Sequence, residues 1–190
     1  ESALRTELLA HTGTGWVYVY DPADRSVQRV LGGIAGASGL ALSPDGGTLY
    51  ISDLASRCVW SVDPDARELT AGGKNCPTYL YGLPGYPGAL AVDEDGTLYI
   101  SYRWTRSAWL EDHADGTLLR GIALRAGQNL QEKLFRLPAD VPCAEAVRAD
   151  GSWQRTISGK ALDSCTAVCP VDSKVYFGAA GSAKVLFARV

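Results

Sequence analysis

A hairpin pattern that occurs more than once is the feature of this sequence that most constrains its fold. Residues 39–53 read GLALSPDGGTLYISD, with two short alternating runs on either side of a Pro-Asp-Gly turn. A second copy covers residues 89–102, so that Tyr99 follows Tyr50 by 49 positions, and a fainter third copy ends at Gly178. Asp and Gly tolerate the backbone angles of such turns, and the pattern predicts β-hairpins. Repetition at this interval is typical of the four-stranded blades of a β-propeller.

The distribution of charge and apolar residues excludes several kinds of partner. The 190 residues carry a formal net charge of −3 with both signs scattered, and no basic block indicates nucleic acid. The longest apolar runs fall far short of the ~20 residues that a membrane-spanning helix needs. No signal peptide is visible after Glu1, and the absence of Met favours a processed product or a fragment over a complete translated protein.

The five cysteines are an odd number without a C-x-x-C pair, so a zinc site is not expected. Cys165 and Cys169 stand four apart in a predicted strand, which predicts that both side chains point to one face. Their α-carbons would then lie roughly 13 Å apart, too far for a mutual disulfide. Buried unpaired thiols are the simpler interpretation, and one bridge between distant cysteines is the alternative if the protein is secreted.

Alternation along the chain predicts an all-β protein with two, four, four and three strands in successive blades. A helix is predicted over residues 2–10, and the region 104–142 loses alternation in favour of short amphipathic helices inside a blade. The predicted strands are 16–20 and 26–31; 40–43, 48–53, 57–62 and 67–71; 90–92, 97–103, 144–148 and 153–157; and 165–169, 175–178 and 184–188, with a loop over 74–87. Known propellers need about four to eight blades to close. We therefore interpret residues 1–190 as one partial domain, the C-terminal part of a larger propeller whose N-terminal blades precede it.

Several motifs, taken in order, resemble the strictosidine synthase-like family. Residues 39–46 read GLALSPDG, residues 53–60 follow a pattern that ends in Arg-x-x-Trp, residues 83–87 read LPGYP, and residues 175–178 read VYFG. Members of this family are six-bladed propellers related to the arylesterase and lactonase propellers, and they carry helices where this chain has its predicted insertion. The resemblance implies a six-bladed β-propeller with a central channel that binds a small molecule. Family members are often secreted, membrane-anchored or in the secretory pathway.

The same resemblance implies which residues line the channel and what they have lost. Ser38, Gly88 and Ala89 stand where many members have an Asn and an Asp-Asn pair that ligate a metal. Calcium needs six or more oxygen ligands, usually including carboxylates, so no metal site is expected here. Thr166 stands where the alkaloid-forming members have a Glu that acts as general acid and base. A Thr hydroxyl does not exchange protons near neutral pH, so strictosidine synthase activity is not expected.

No catalytic residue is identified from the sequence, although Asp53, Thr166 and His113 are candidates. Asp53 ends a strand, where a carboxylate that binds turn amides is the simpler interpretation, and His113 lies in the insertion among acidic residues. Two functions stay open. The main hypothesis is a non-catalytic propeller that binds a small molecule or a protein partner, and the alternative is an arylesterase- or lactonase-type hydrolase of small esters or lactones.

Overall fold

The computed structural model describes residues 2–113, 116–134, 143–159, 165–179 and 185–190, which form mostly β-structure. Its elements, in chain order, are α1 (Ser2–Ala10), β1 (Gly15–Asp21), β2 (Ser26–Ile34), β3 (Ala37–Leu42), β4 (Leu49–Asp53), β5 (Cys58–Val62), β6 (Leu69–Thr70), β7 (Thr78–Leu80), β8 (Gly85–Val92), β9 (Leu98–Thr105), α2 (Ala108–Asp112), α3 (Thr117–Arg125), α4 (Gln128–Leu134), β10 (Ala144–Val147), β11 (Trp153–Ile157), β12 (Cys165–Val171), β13 (Lys174–Ala179) and β14 (Val185–Arg189). Among the described residues, no helix is long and apolar enough to cross a bilayer.

The strands form separate sheets that pack side by side, as in a partial β-propeller. The sheet orders are β1-β2-β6, β3-β4-β5-β7, β8-β9-β10-β11 and β12-β13-β14. The first strand of each later sheet lies innermost, because β3 contacts β8 and β8 contacts β12 in the next sheet. The predicted fold class, a partial β-propeller with helices inside one blade, is confirmed. The six-bladed closure stays a prediction.

The core consists of apolar layers between neighbouring sheets. Val17 and Ile51 belong to the layer between the first two sheets, Tyr50 and Leu98 to the next, and Phe177 to the last. Successive side chains of a strand point to opposite faces of its sheet, so every second one lies in the same layer. This is why the hairpin pattern predicts the strands well. Burial of this kind is the main stabilising contribution to the fold.

The two outermost sheets each leave apolar side chains exposed. On β1 these are Trp16, Tyr18 and Tyr20, of which Tyr20 is 58% exposed, and on β14 Phe187 is 57% exposed. The sequence pattern predicts that six aromatic residues lie mostly in the inter-sheet core: Trp16, Tyr18, Tyr20, Trp60, Tyr99 and Tyr176. Trp60 and Tyr99 do lie in these layers. For the three of β1 the prediction is wrong within the described structure, because no described sheet packs on that face. The exposed faces agree with a ring that continues beyond both sheets.

The helices α2, α3 and α4 lie between β9 and β10 of a single sheet, as the loss of alternation predicts. They pack with α1 around Leu8, Leu54 and Leu110. The insertion begins later than predicted, because Trp104 and Thr105 still pair with Tyr86 and Gly85 of β8. Its last predicted residues, 135–142, lie outside the described residues.

The predicted outer strand of the second blade, residues 67–71, is wrong. Leu69 and Thr70 instead pair parallel with β2 of the preceding sheet. The fourth strand of the second sheet is β7, which pairs with β5 and lies in the segment predicted as a loop. Local alternation identifies an extended segment, but not the strand that it pairs with.

The cysteines also differ from the predicted arrangement. A β-bulge at Thr166 shifts the register of β12, so Cys165 is buried and Cys169 is exposed instead of both facing one way. Cys165 forms a disulfide with Cys143, and their α-carbons are 5.8 Å apart. Cys58 and Cys76 are buried free thiols, as the simpler interpretation predicts.

Candidate functional site

The predicted channel residues Ser38, Gly88 and Ala89 lie together where β3 and β8 approach. A Cβ atom on Gly39 would lie 2.3 Å from the Gly88 carbonyl oxygen, so only glycine permits this approach. The Ser38 hydroxyl donates to the Pro87 carbonyl at 2.8 Å. Serine hydroxyls therefore join the backbones of two neighbouring blades at the positions that the family resemblance assigns to the channel.

Serine hydroxyls also bind the next two carbonyls of β8, one from the neighbouring blade and one from strand β9 of the same sheet. Ser52 Oγ donates to the Gly88 carbonyl at 2.7 Å, and Ser101 Oγ donates to the Ala89 carbonyl at 3.0 Å. Gly88 and Ala89 have no side-chain oxygen to offer. Within the described ranges, no group of three or more His, Cys, Asp or Glu side chains is arranged to hold a metal ion. These residues do not fit calcium, which needs six or more oxygen ligands.

Thr166 and His113 lie in different elements, and each hydrogen-bonds to a nearby backbone carbonyl. Thr166 Oγ1 donates to the Gly178 carbonyl at 3.3 Å, which holds the bulged residue against β13. His113 Nδ1 lies 2.7 Å from the Trp109 carbonyl oxygen, and its ring stacks on the Trp109 ring with centroids 4.5 Å apart. The structure does not bring these two candidates together with Asp53.

Asp53 is 1% exposed and lies where β4 ends. Its Oδ2 accepts hydrogen bonds from the Ala35 N–H and the Trp60 indole N–H, both at 3.2 Å. Its Oδ1 accepts the Ser56 N–H at 3.3 Å. One buried carboxylate therefore connects the end of β2, the turn after β4 and strand β5.

A polar cleft of about 350 Å³ lies beside this turn, below the helical insertion. It is lined by Leu8, His11, Ala55, Ser56, Arg57, Tyr86, Leu110, Glu111 and Arg120. Its walls come from α1, the turn after β4, the start of β8, α2 and α3. The cleft is thus at the end of the blades where β3 and β8 begin, the same end as Ser38.

The polar groups of the cleft are held by hydrogen bonds. Arg57 donates to the Leu83 carbonyl at 3.2 Å and to the Glu111 carboxylate at 2.9 Å, and Arg106 also binds that carboxylate. Arg120 donates to the Leu8 carbonyl at 2.7 Å. His11 Nε2 lies 3.2 Å from Ser56 Oγ. Burial raises the pKa of Tyr86, so its phenol stays protonated and able to hydrogen-bond at neutral pH.

Sequence reasoning misses this cleft, although its residues are ordinary in type. His11 and Ser56 are 45 positions apart, and no local pattern links them. The resemblance includes Arg57 only as part of a strand motif. The apolar spacing of α1 shows that the helix has a buried face, but not which part of the sheet it covers.

The fold is that of a partial β-propeller, with a cleft at one end of its blades. The chain belongs to the SMP-30/gluconolactonase/LRE-like (SGL) family, whose model matches residues 4–130. This supports the relation to lactonase propellers that the motifs indicate. No curated protein matches the sequence significantly.

Solved structures similar to this chain include a luciferin-regenerating enzyme, a regucalcin and a gluconolactonase. A luciferin-regenerating enzyme is 21% identical with a TM-score of 0.56, covering 89% of this chain and 45% of that protein. Regucalcin from Agrobacterium tumefaciens, described as a calcium-binding protein, is 17% identical with a TM-score of 0.55, covering 92% and 48%. A gluconolactonase from Xanthomonas campestris is 17% identical with a TM-score of 0.55, covering 86% and 41%. The chain spans less than half the length of each, and these likenesses concern the fold.

Proposed function

We propose that the full-length protein is a lactonase-type hydrolase that acts on a small ester or lactone. The cleft below the insertion is the observation that carries this proposal, because it offers hydroxyl, imidazole and guanidinium groups in one cavity. Its volume of about 350 Å³ is within the range of roughly 300–1,000 Å³ that is usual for small-molecule sites. Membership of the SGL family, which includes gluconolactonases, supports the same class of substrate.

The narrower strictosidine synthase-like activity is not part of this proposal. Thr166 lacks an acid or base, and its hydroxyl is already bound to the Gly178 carbonyl. We also propose that no metal takes part in the chemistry of these blades. Ser38, Gly88 and Ala89 do not supply the oxygen ligands that a calcium ion needs.

The test is hydrolysis by the full-length protein of a panel of aryl esters, γ-lactones and δ-lactones, with kcat/KM measured for each. Ala55 lines the cleft and is half-buried, so Ala55→Phe fills the cavity and lowers kcat/KM at least about tenfold through lost substrate binding. Ala149→Phe is the matched control, because Ala149 is exposed in the turn between β10 and β11. Equal effects of the two variants, or no turnover of any substrate, would contradict the proposal.

The second candidate is a propeller that binds a small molecule without turnover. It is supported by Ser38, Gly88 and Ala89, which the resemblance implies have replaced the metal-binding side chains of the channel. A compound that raises the thermal midpoint in proportion to its concentration, without being hydrolysed, identifies this case. Filling the cleft with Ala55→Phe then removes the shift.

A further inference from the structure

We propose that Ser56 and His11 form a nucleophile–base pair that carries acyl transfer in the cleft without a metal. The proposal rests on the proposed hydrolase function and assigns it to particular atoms. Ser56 Oγ and His11 Nε2 are 3.2 Å apart, within the distance at which an imidazole activates a serine hydroxyl. Neither residue belongs to the channel positions that the family resemblance points to.

Ser56 is held in place by the turn between β4 and β5. Its N–H donates to Asp53 Oδ1, while the Arg57 N–H donates to the Leu54 carbonyl at 3.3 Å. Arg57 has a φ of 49°, a left-handed conformation that is uncommon for a residue with a side chain. The buried Asp53 is therefore a positioning residue, because it fixes the backbone that carries the serine.

His11 is held by the end of helix α1. Its N–H donates to the Glu7 carbonyl at 2.7 Å, and its φ of 50° is also left-handed. This conformation turns the chain at the C-terminal end of the helix and directs the imidazole towards Ser56. Leu8 and Leu9 of α1 are buried in the core, so the packing of this helix fixes the position of His11.

The charges around the pair suit the reaction. Arg57 and Arg120 both line the cleft, and each is fixed by a hydrogen bond to a backbone carbonyl. Their single carboxylate neighbour in the lining, Glu111, is shared with Arg106 outside it. Fixed positive charge in a cleft stabilises the oxyanion that forms when a hydroxyl attacks a carbonyl.

The reaction has two half-steps that balance. Ser56 Oγ forms a bond to the carbonyl carbon while His11 Nε2 takes its proton, and the ester C–O bond then breaks as the leaving oxygen receives that proton. Water next attacks the acyl-serine with His11 again as the base, which releases the acid and restores the serine. One water is consumed, and one ester or lactone bond becomes an acid and an alcohol.

The test uses an aryl fluorophosphonate on the full-length protein, with peptide mass spectrometry. An activated serine forms an O–P bond and expels fluoride, so we expect the adduct on the peptide that contains Ser56. Ser56→Ala removes the adduct, and His11→Gln slows labelling by about 100-fold or more because the base is lost. Ser152→Ala is the matched control, because this exposed serine lies beside Arg148 and is remote from the cleft. Thermal midpoints check that each variant is folded.

The outcomes separate this inference from the proposed function. Labelling at Ser56 that depends on His11 supports the pair even if no ester in the panel is hydrolysed, in which case the hydrolase function fails alone. Hydrolysis that is insensitive to Ser56→Ala and abolished by EDTA supports the hydrolase and overturns the pair. An absence of labelling, or labelling unchanged in His11→Gln, also overturns it.

Discussion

Removal of the Asp53 carboxylate should destabilise the protein more than most single substitutions do. Three donors bind this side chain: the buried Ala35 amide and Trp60 indole, and the partly buried Ser56 amide. A buried donor left without a partner costs about 1–3 kcal/mol. At the lower half of that range for each donor, Asp53→Ala lowers the free energy of unfolding by roughly 3–6 kcal/mol. This is a large part of the roughly 5–15 kcal/mol that is usual for a folded domain.

Asp53→Asn is the milder change, and its expected cost follows from the same contacts. Oδ2 accepts two of the three hydrogen bonds, so an Asn oriented with its oxygen there keeps both and places an NH₂ group against the Ser56 amide. The loss of that one bond costs about 1–3 kcal/mol. It also loosens the turn that carries Ser56, so we expect a lower kcat with little change in KM.

Urea unfolding of the full-length protein measures these costs, provided that the slope of the transition is unchanged. Asp63→Asn is the control, because Asp63 is exposed and its carboxylate accepts only the Asp65 N–H among the described contacts; its effect should stay within about 0.5 kcal/mol. In a double-mutant cycle, Asp53→Ala and Trp60→Phe should couple by about 0.5–3 kcal/mol. The reasoning is refuted if Asp53→Ala costs less than about 1 kcal/mol, or if the cycle shows no coupling.

Four further predictions concern other parts of the molecule. Adding Ca²⁺ should leave the thermal midpoint of the full-length protein unchanged, because a bound ion would raise it; a rise would contradict the proposal that no metal takes part. Replacing Cys143 and Cys165 by Ser should cost about 3 kcal/mol in urea unfolding for a sequence separation of 22, whereas Cys169→Ser should have little effect. Burial raises the pKa of Glu145 above its ordinary 4.5, although a hydrogen bond from Tyr102 opposes this. Stability is therefore lost as the pH rises from about 4.5 through that raised pKa, and Glu145→Gln should remove the loss in unfolding measured at stepped pH. The 190-residue chain, expressed alone, should associate through its two open sheet faces in light scattering; a cooperative monomer would contradict the partial ring.

The predictions from sequence hold where the physics is local. The alternation of residues 39–53 and 89–102 has a period of two, because successive side chains of a strand point to opposite faces of the sheet. The same alternation cannot say which neighbour an edge segment chooses, and residues 67–71 pair with the preceding sheet for that reason. A single unpaired residue, Thr166, reverses the predicted side of Cys169 relative to Cys165.

The candidate site depends even more on contacts between segments that are distant in the sequence. The resemblance places Ser38, Gly88 and Ala89 side by side, and the structure brings them together at the contact of β3 and β8. The interpretation of Asp53 as a carboxylate that binds turn amides describes its contacts with Ala35 and Ser56. The approach of α1 to the β4–β5 turn depends on how the helix packs, which leaves no trace in the spacing of residues.

The parallel pairing of β6 with β2 makes the first two blades depend on each other for their structure. Residues 67–71 leave the second sheet and complete the first, with the Glu68 and Ala71 amides donating to the Arg29 and Gly32 carbonyls. A loop that formally belongs to one blade thus serves as the outer edge of the blade before it. An insertion in this loop would loosen the first sheet, and a cut between β2 and β3 would separate that sheet from β6.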